Sequence, residues 1–327
     1  MTFRITHPVA ATALLGIGMA LASGHAAAQA EYPDKPIKLV VPYPPGSGTD
    51  TVARYAARRM EAALGKPVVI ENKPGGNAII AAQTVINAPA DGYTLLWAAN
   101  GPVTTNVALY DKLPYNPLTD LEPVARVAYS PMGLYVPADS PYKTASDLFA
   151  DAKKRPNKLN YGSGSATYNI ATEWLMSLVG AKANAISYKG SSPTLTDLAG
   201  KQVDFAIAEY SAGLPLVKGG KLRMLALTSD RRMKSEPEMP TLQELGYKEF
   251  FQVAWWGVFA PKGTPKPVVT RIESTLLTIF KDAETAQYLD QNNFSAFIGT
   301  AEQLRAFQKT EIERETKLVE RFNIPKL

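Results

Sequence analysis

The segment at residues 42–50, which follows the first strand-like run, combines residue types that can hold an anion. It reads Pro-Tyr-Pro-Pro-Gly-Ser-Gly-Thr-Asp and leads directly into a helical pattern. Its prolines stiffen the chain, its glycines let a ligand approach the backbone, and Thr49 or Asp50 can cap the helix. The first N–H groups of a helix point outward and attract negative charge. The segment lacks the lysine and the glycine spacing of a phosphate P-loop, so it is a candidate anion site of another kind.

A second segment of similar chemistry, residues 161–168, again joins a strand-like run to a helical pattern. It reads Tyr-Gly-Ser-Gly-Ser-Ala-Thr-Tyr, and its hydroxyl groups suit hydrogen bonding to a ligand. One such loop is common as a purely structural element, whereas two of them suggest a pair that grips a ligand from opposite sides. Proteins that close around a ligand by a hinge work in this way.

The usual catalytic residue types are almost absent from this chain. It has no cysteine, and its two histidines, His7 and His25, lie within the first thirty residues, which we expect to be removed. Catalysis by a Ser-His-Asp or a Cys-His arrangement is therefore excluded, as are disulfides. The remaining enzymatic alternative is an exported hydrolase whose acid and base are drawn from Asp50, Glu173, Asp204 and Glu209. No motif pairs these carboxylates, so we expect a protein that is not an enzyme and has no cofactor or metal.

Residues 1–30 have the organisation of a secretory signal peptide. Arg4 gives a positive start, an apolar run follows, and residues 28–30 read Ala-Gln-Ala, a small-x-small cleavage site. The apolar run is shorter than the roughly 20 residues that span a membrane, which argues against an uncleaved anchor. We expect export to the periplasm with cleavage after Ala30, or alternatively after Ala28.

The distribution of charge argues against nucleic-acid binding. The net charge is only +5, and the basic residues are scattered along the chain. The densest basic groups lie at residues 153–155 and 231–234, and both are short. Neither forms the basic stripe that tracks a phosphate backbone. We expect a small-molecule partner and no nucleic acid.

Strand-like and helical patterns alternate over most of the chain, which is typical of mostly parallel sheets with helices on both faces. The alternation runs in two cycles, with crossing points near Tyr129 and Phe251. We therefore predict an α/β fold of two doubly wound sheets in two lobes joined by a hinge. Lobe 1 is discontinuous and spans 31–129 and 252–327, and lobe 2 spans 130–251. Ligands of such sheets bind outside the carboxyl ends of the strands, where both candidate loops lie.

A set of short motifs follows in order along the mature chain. In its first part they are residues 32–37 (YPDKPI), 44–50, 71–75 (ENKPG), 91–96 (DGYTLL) and 110–115. Further along they are residues 159–161 (LNY), 188–193 (YKGSSP), 202–204 (QVD), 220–223, 255–257 (WWG) and 260–265. Taken together, this set resembles the Bug-type proteins, which are the periplasmic solute receptors of tripartite tricarboxylate transporters.

The resemblance implies a type II-like periplasmic binding protein fold whose two loops hold carboxylates through backbone N–H groups, hydroxyls and ordered water. One half of the implied site consists of Tyr43, Gly46, Ser47, Gly48, Thr49 and Asp50. The other half consists of Ser163, Gly164, Ser165, Ala166, Thr167 and Tyr168. The site is completed by Asn100, Tyr188 and Glu209. Because Asp50 would repel a carboxylate, we expect it to cap the helix or to hold a water molecule.

Two departures from the family pattern bear on the ligand. Asn169 stands where the family often has a histidine, and Ala208-Glu209 stands where it often has Asp-Asn. A carboxylate at that place pairs with the amino group of amino-acid ligands. Shifted by one residue, the side chain of Glu209 can instead face away from the cleft.

Aromatic side chains are expected around the apolar middle of the cleft. The candidates are Tyr168, Tyr188, Tyr210 and Trp255. Trp256, in contrast, is expected to be buried in the core. The expected ligand is a small carboxylate, in the first place a dicarboxylate, and an aromatic one if two or three of the candidates face the cleft.

The expected function is that of a monomeric receptor that captures a carboxylate between its lobes. It would deliver this ligand to the membrane permease subunits of a tripartite tricarboxylate transporter. Closure of the lobes would let both of them contact the ligand, which is what shifts an open-closed equilibrium. A sensor that presents its bound form to the exported domain of a receptor is an alternative that the sequence does not separate from transport.

Overall fold

The computed structural model describes residues 1–3, 32–233 and 235–327. The predicted cleavage sites and nearly all of the predicted signal peptide therefore lie outside the described residues. None of the helices in the described ranges combines the length and the hydropathy that a membrane span requires.

The first sheet contains the candidate anion loop at the carboxyl end of its first strand. Its strands are β1 (Ile37–Val41), β2 (Val68–Asn72), β3 (Thr94–Ala99), β4 (Leu121–Pro137), β9 (Val253–Pro261) and β10 (Ser295–Gly299). Strand β1 pairs in parallel with β2 on one side and β3 on the other, while β9 and β10 run antiparallel to their neighbours. Four of the five side chains of β1 are buried, as expected for a parallel strand covered on both faces.

The second sheet shares strand β4 with the first. Its other strands are β5 (Asn160–Ser163), β6 (Asn184–Ser187), β7 (Phe205–Glu209) and β8 (Leu222–Leu227). Residues 121–131 of β4 pair with β9, and from Met132 onward β4 pairs with β7, whose last residue Glu209 lies opposite Met132. Residues 121–137 form one continuous strand of 17 residues. This strand carries the chain from one sheet into the other.

The helices cover both sheets, and several of them begin just after the carboxyl ends of strands. Their bounds are α1 (Gly48–Leu64), α2 (Ile79–Ile86), α3 (Asn106–Leu109), α4 (Ala145–Lys154), α5 (Ala166–Val179), α6 (Ser191–Ala199), α7 (Tyr210–Lys218), α8 (Lys266–Lys281), α9 (Ala283–Gln291) and α10 (Ala301–Arg321). A single 3-10 turn, Gly76–Ala78, precedes α2, and a π-helical turn, Gly101–Thr105, precedes α3. The mixed α/β architecture with two sheets agrees with the prediction.

Helix α1 illustrates how the sequence specifies these elements. Its buried face includes Val52, Ala53, Ala56 and Met60, a spacing that matches one side of a helix. The helix ends at Gly65, which adopts a left-handed conformation with φ 70° and donates its N–H to the carbonyl of Glu61. The helix is thus fixed at its far end, and its N-terminus is held at the edge of the sheet.

Candidate functional site

The loop between β1 and α1 is organised by Ser47 and Asp50. The Ser47 hydroxyl accepts the Asp50 N–H at 3.2 Å and so caps α1; the prediction that Thr49 or Asp50 would be the cap is wrong. Three neighbouring residues offer a capping oxygen here, and the turn at Gly46, with φ 82°, places Ser47 at the helix start. Thr49 and Asp50 thereby become the second and third residues of the helix.

The Asp50 side chain stabilises this loop through hydrogen bonds. Its carboxylate accepts the Gly46 N–H at 3.0 Å, the Arg54 Nε at 2.9 Å and the Asn72 Nδ2 at 2.9 Å. Burial raises the pKa of Asp50, but the bonds from Arg54, Asn72 and Gly46 outweigh this effect and leave the pKa below its usual value. Asp50 therefore stabilises the loop through its own hydrogen bonds and does not cap the helix, and the expectation that it holds a water molecule stays a prediction.

The loop between β5 and α5 mirrors the first one. Ser165 is the N-cap of α5 and accepts the Tyr168 N–H at 3.4 Å, while the Ser163 hydroxyl donates to the Ser165 carbonyl at 3.0 Å. Gly164 passes very close to the loop before α6, because a Cβ at this position would lie 2.5 Å from the carbonyl carbon of Gly190. Only glycine fits at this point.

The two loops lie directly against each other. A side-chain hydrogen bond joins Tyr43 of the first loop to Ser165 of the second. Neighbouring segments also meet here, since the Thr105 and Thr167 hydroxyls are 3.0 Å apart and a Cβ on Gly190 would be 3.0 Å from Pro44 Cδ. A cavity of about 30 Å³ remains at one edge of the contact, between Tyr43 and Tyr188. The structure thus brings together the loop residues that the sequence assigned to the two halves of the site.

Glu209, at the end of β7 in the second sheet, contacts the start of α1 beside the first sheet. Its Oε2 accepts the Gly48 N–H at 2.7 Å and its Oε1 accepts the Thr49 hydroxyl at 3.3 Å. The side chain is only 3% exposed. Glu209 therefore faces into the cleft and does not point away from it.

The electrostatic surroundings of Glu209 are unusual for a carboxylate. Burial raises its pKa, and bonds from the Gly48 N–H, the Tyr168 phenol and the Thr49 hydroxyl oppose this rise in part. All three donors are neutral, so the Glu209 carboxyl group is held by their dipoles and by the N-terminus of α1. The site in its present form already binds one carboxylate, which belongs to the protein itself.

Two of the four candidate aromatic residues face the cleft. Tyr168 accepts a hydrogen bond from the Ser191 hydroxyl at 3.1 Å, and Tyr188 is half-buried beside the 30 Å³ cavity. Tyr43, also part of the predicted site, is buried there, and burial, followed by the charge of Glu209, raises its pKa. Three tyrosines thus surround the point where the loops meet.

The other two aromatic candidates are placed elsewhere. Trp255 packs edge-on against Phe307 with ring centroids 5.1 Å apart, in an apolar cluster away from the loops. Tyr210 is buried in another cluster, and its hydroxyl donates to Glu236 at 3.2 Å. Successive side chains of a strand lie on opposite faces. Trp255 therefore points away from the face on which Trp256 lies, and Tyr210, which follows Glu209 at the end of β7, points away from the cleft.

Trp256 is buried, as expected, yet it also supports the site. Its indole Nε1 donates to the Thr49 hydroxyl at 2.9 Å, and its ring packs edge-on against Phe294. Sequence reasoning assigned Trp256 only a packing role. The one available signal was general, since a buried indole N–H usually finds a hydrogen-bond partner.

Asn100 lies at the carboxyl end of β3, but its side-chain amide group is hydrogen-bonded to the backbone of β9. Its Oδ1 accepts the Trp255 N–H at 3.0 Å, and its Nδ2 donates to the Val253 carbonyl at 3.1 Å. The amide thereby fixes the start of β9 next to the cleft. A direct ligand contact by Asn100 stays a prediction.

Two further cavities adjoin this region. One of about 190 Å³ lies beside the Glu209 contact and is lined by Gly46, Gly48, Ser211 and Phe294, among others. A larger one of about 590 Å³ lies near Tyr129 and Arg231; its described lining residues belong to neither loop, so we assign the site to the loops. Within residues 1–3, 32–233 and 235–327, no group of His, Cys, Asp or Glu could hold a metal ion.

The sequence profile described as tripartite tricarboxylate transporter family receptor, TctC, matches residues 52–324. This chain belongs to that receptor family. It is also 34% identical over 306 residues to Protein BugT of Bordetella pertussis, with 92% of this chain and 94% of BugT covered. The resemblance to Bug-type proteins is thereby confirmed.

Solved structures of similar proteins agree with the family assignment. A protein of R. palustris solved with adipate is 32% identical, with a TM-score of 0.87 over 90% of this receptor and 100% of that chain. MatC from Rhodopseudomonas palustris, solved with bound malate, is 28% identical, with a TM-score of 0.83 over 88% of this receptor and 100% of that chain. The predicted periplasmic binding protein fold is confirmed, and so is a solute-binding receptor rather than an enzyme.

Proposed function

We propose that this receptor captures a small dicarboxylate between the β1–α1 loop and the β5–α5 loop. The observation that carries the proposal is the pair of capped helix N-termini on facing loops, one of which already holds a carboxylate, that of Glu209. The first N–H groups of a helix have no partner within it and favour an anion. Two such ends on opposite sides suit a ligand with a carboxylate at each end.

The proposed site consists of the residues that the sequence assigned to the two loops, together with Tyr188. Adipate and malate in the similar structures are both dicarboxylates, which supports this ligand class. Tyr43, Tyr168 and Tyr188 offer apolar surface between the two helix ends. They favour a short aliphatic chain and also admit a flat ring.

Binding would require the two loops to separate and close again around the ligand. We propose that residues 31–129 with 252–327 move as one lobe and residues 130–251 as the other. Strand β4 crosses between them, with its change of partner from β9 to β7 at Met132, and this crossing would act as the hinge. Closure is favoured only if the ligand contacts both lobes.

We further propose the cellular setting that the sequence predicted. The signal peptide at residues 1–30 would direct the receptor to the periplasm, where it acts as a monomer. The closed, loaded form would then dock on the permease subunits of a tripartite tricarboxylate transporter. Membership of a transporter receptor family supports this step.

A thermal-shift titration with matched ligands tests the proposed ligand class. Adipate, malate and terephthalate are compared with adipamide, which has the length of adipate without its charges, and with putrescine, a cation of similar length. A ligand at 100 times its Kd adds about 2.7 kcal/mol to the free energy of unfolding. We expect a shift with dicarboxylates and none with adipamide. A shift with adipamide or putrescine, and none with any carboxylate, would contradict the proposal.

A further inference from the structure

Glu209 occupies the place at the N-terminus of α1 where a ligand carboxylate would bind. Gly48 is the first residue of this 17-residue helix, and its N–H donates to Glu209 Oε2 at 2.7 Å. A Cβ built on Gly48 would lie 2.5 Å from the same oxygen. The contact is so close that no second carboxylate fits against the Gly48 N–H while Glu209 is there.

The contact joins parts of the chain that are far apart in sequence. Gly48 and Glu209 are separated by 161 residues, and Glu209 ends β7 opposite Met132, where β4 leaves the first sheet. The bond therefore forms only when the two sheets come together. A ligand carboxylate bound at the same Gly48 N–H would hold the two sheets together through a contact of similar geometry.

The contact between Glu209 and Gly48 has features that would allow a ligand carboxylate to replace it. Glu209 is 3% exposed, and among the described residues its hydrogen-bond donors are an N–H, a hydroxyl and a phenol, without a cationic side chain. A buried carboxylate without a paired cation is held less firmly than a buried ion pair with good geometry. The cavity of about 190 Å³ beside Gly48 and Ser211 provides room for the side chain once it is displaced.

We propose that Glu209 is a specificity-determining residue that acts as an internal competitor for the ligand. Its carboxylate holds the ligand-free receptor closed, and a ligand carboxylate binds by displacing it from Gly48 and Thr49. This inference rests on the proposed function, because it takes the N-terminus of α1 as half of the ligand site. Its consequence is an affinity threshold that weakly binding anions do not pass.

Calorimetric titration of two variants with adipate and malate tests the competition. Glu209→Gln keeps the shape of the side chain but removes its charge, which weakens a charge-assisted bond. We expect the Kd for the better of the two probes to fall about tenfold, as it would if about one wild-type molecule in ten were free of the internal contact. The control is Glu173→Gln, which changes a carboxylate of α5 that bonds to Tyr161 at 2.6 Å; this variant should bind as the wild type does.

Small-angle scattering of the ligand-free protein provides a readout that does not depend on the choice of ligand. Glu209→Ala removes the contact with Gly48, so we expect a larger radius of gyration than in the wild type and in Glu173→Gln. Equal radii in all three proteins would overturn the inference even if no probe bound. Failure of both probes to bind, together with an expanded Glu209→Ala variant, would count against the proposed ligands and support the internal contact.

Two calorimetric outcomes would also overturn the inference. One is that a folded Glu209→Gln variant binds adipate and malate with unchanged or weaker affinity. This result would mean that Glu209 has no role in binding or that it contacts the ligand directly. The other is binding of aspartate by the wild type that Glu209→Gln abolishes, which would make Glu209 the partner of a ligand ammonium group. Circular dichroism and a melting curve establish that each variant is folded.

Discussion

The hydroxyl groups of Thr105 and Thr167 lie 3.0 Å apart in the buried interior of the cleft. Thr105 ends the π-helical turn after β3, and Thr167 is in the first turn of α5. The pair therefore bridges the two sheets at the level of the candidate site. A hydrogen bond between these hydroxyls stabilises the closed form and is lost when the sheets separate.

Replacement of Thr167 by valine should weaken closure without altering packing. The substitution keeps the branched shape and leaves the Thr105 hydroxyl without this partner, at a cost of about 1–2 kcal/mol. We expect a Kd for the captured dicarboxylate that is roughly tenfold higher, measured by calorimetry. The control is Thr196→Val, whose hydroxyl donates to the Ser192 carbonyl of its own helix. Equal affinities of both variants would show that the bond has no role in closure.

Replacement of Trp256 by phenylalanine should disturb the position of Thr49. The ring still packs against Phe294, but the bond from Nε1 to the Thr49 hydroxyl is lost. We expect a loss of about 1–2 kcal/mol in the free energy of unfolding, measured by urea denaturation, together with weaker ligand binding.

A matched control for this variant is Trp97→Phe. Trp97 is equally buried and also packs against a phenylalanine, Phe280, but its Nε1 has no hydrogen-bond partner in the described part of the chain. Trp97→Phe should therefore leave ligand binding unchanged. If both variants lost affinity alike, ring volume rather than the Thr49 bond would be responsible.

Replacement of Gly164 by alanine should displace the β5–α5 loop. The added Cβ would lie 2.5 Å from the Gly190 carbonyl carbon, a backbone atom that cannot move by itself. Overpacking of this kind costs about 1–3 kcal/mol, and we expect loss of dicarboxylate binding in a thermal-shift assay. Gly200→Ala is the control, because its Cβ would meet only ordinary contacts at 3.5 Å. Binding by Gly164→Ala at wild-type affinity would contradict the assigned role of this loop.

The sequence predicted the two loops well because their chemistry is local. Small residues and hydroxyls after a strand-like run indicate a turn into a helix, whatever the rest of the chain does. The cap itself was harder to predict, since Ser47, Thr49 and Asp50 all offer a suitable oxygen. The choice among them depends on the turn at Gly46, which is a property of the folded backbone.

The remaining features of the site depend on contacts between distant residues. Glu209 faces the cleft because β7 pairs with β4 in the register that sets it opposite Met132, and a shift by one residue would turn it away. The indole of Trp256 finds its partner 207 residues earlier in the chain. Neither relationship leaves a mark on the local sequence pattern, so both required the structure.

The last prediction concerns Glu315, a fully buried carboxyl group of α10. The Gln252 side chain donates to it at 3.2 Å, and its second oxygen has no hydrogen-bond partner within the described residues. Burial raises the pKa of Glu315 from 4.5 to about 7, with Arg314 acting to lower it and Glu311 to raise it. The protonated form is therefore the one that the folded state favours.

This pKa shift gives the stability of the receptor a definite dependence on pH. Below pH 4.5 both the folded and the unfolded state hold the proton, whereas between pH 4.5 and about 7 only the folded state does. The stabilisation that protonated Glu315 contributes is thus complete at low pH and is lost as the pH rises through about 7. The total loss in the free energy of unfolding is on the order of 3 kcal/mol. Glu315→Gln mimics the protonated form, so it should match the wild type at pH 5 and exceed it at pH 8 in urea denaturation. Glu313→Gln, at an exposed position of the same helix, should follow the wild type at both values, and a Glu315→Gln variant that did the same would show that Glu315 is not protonated in the folded state.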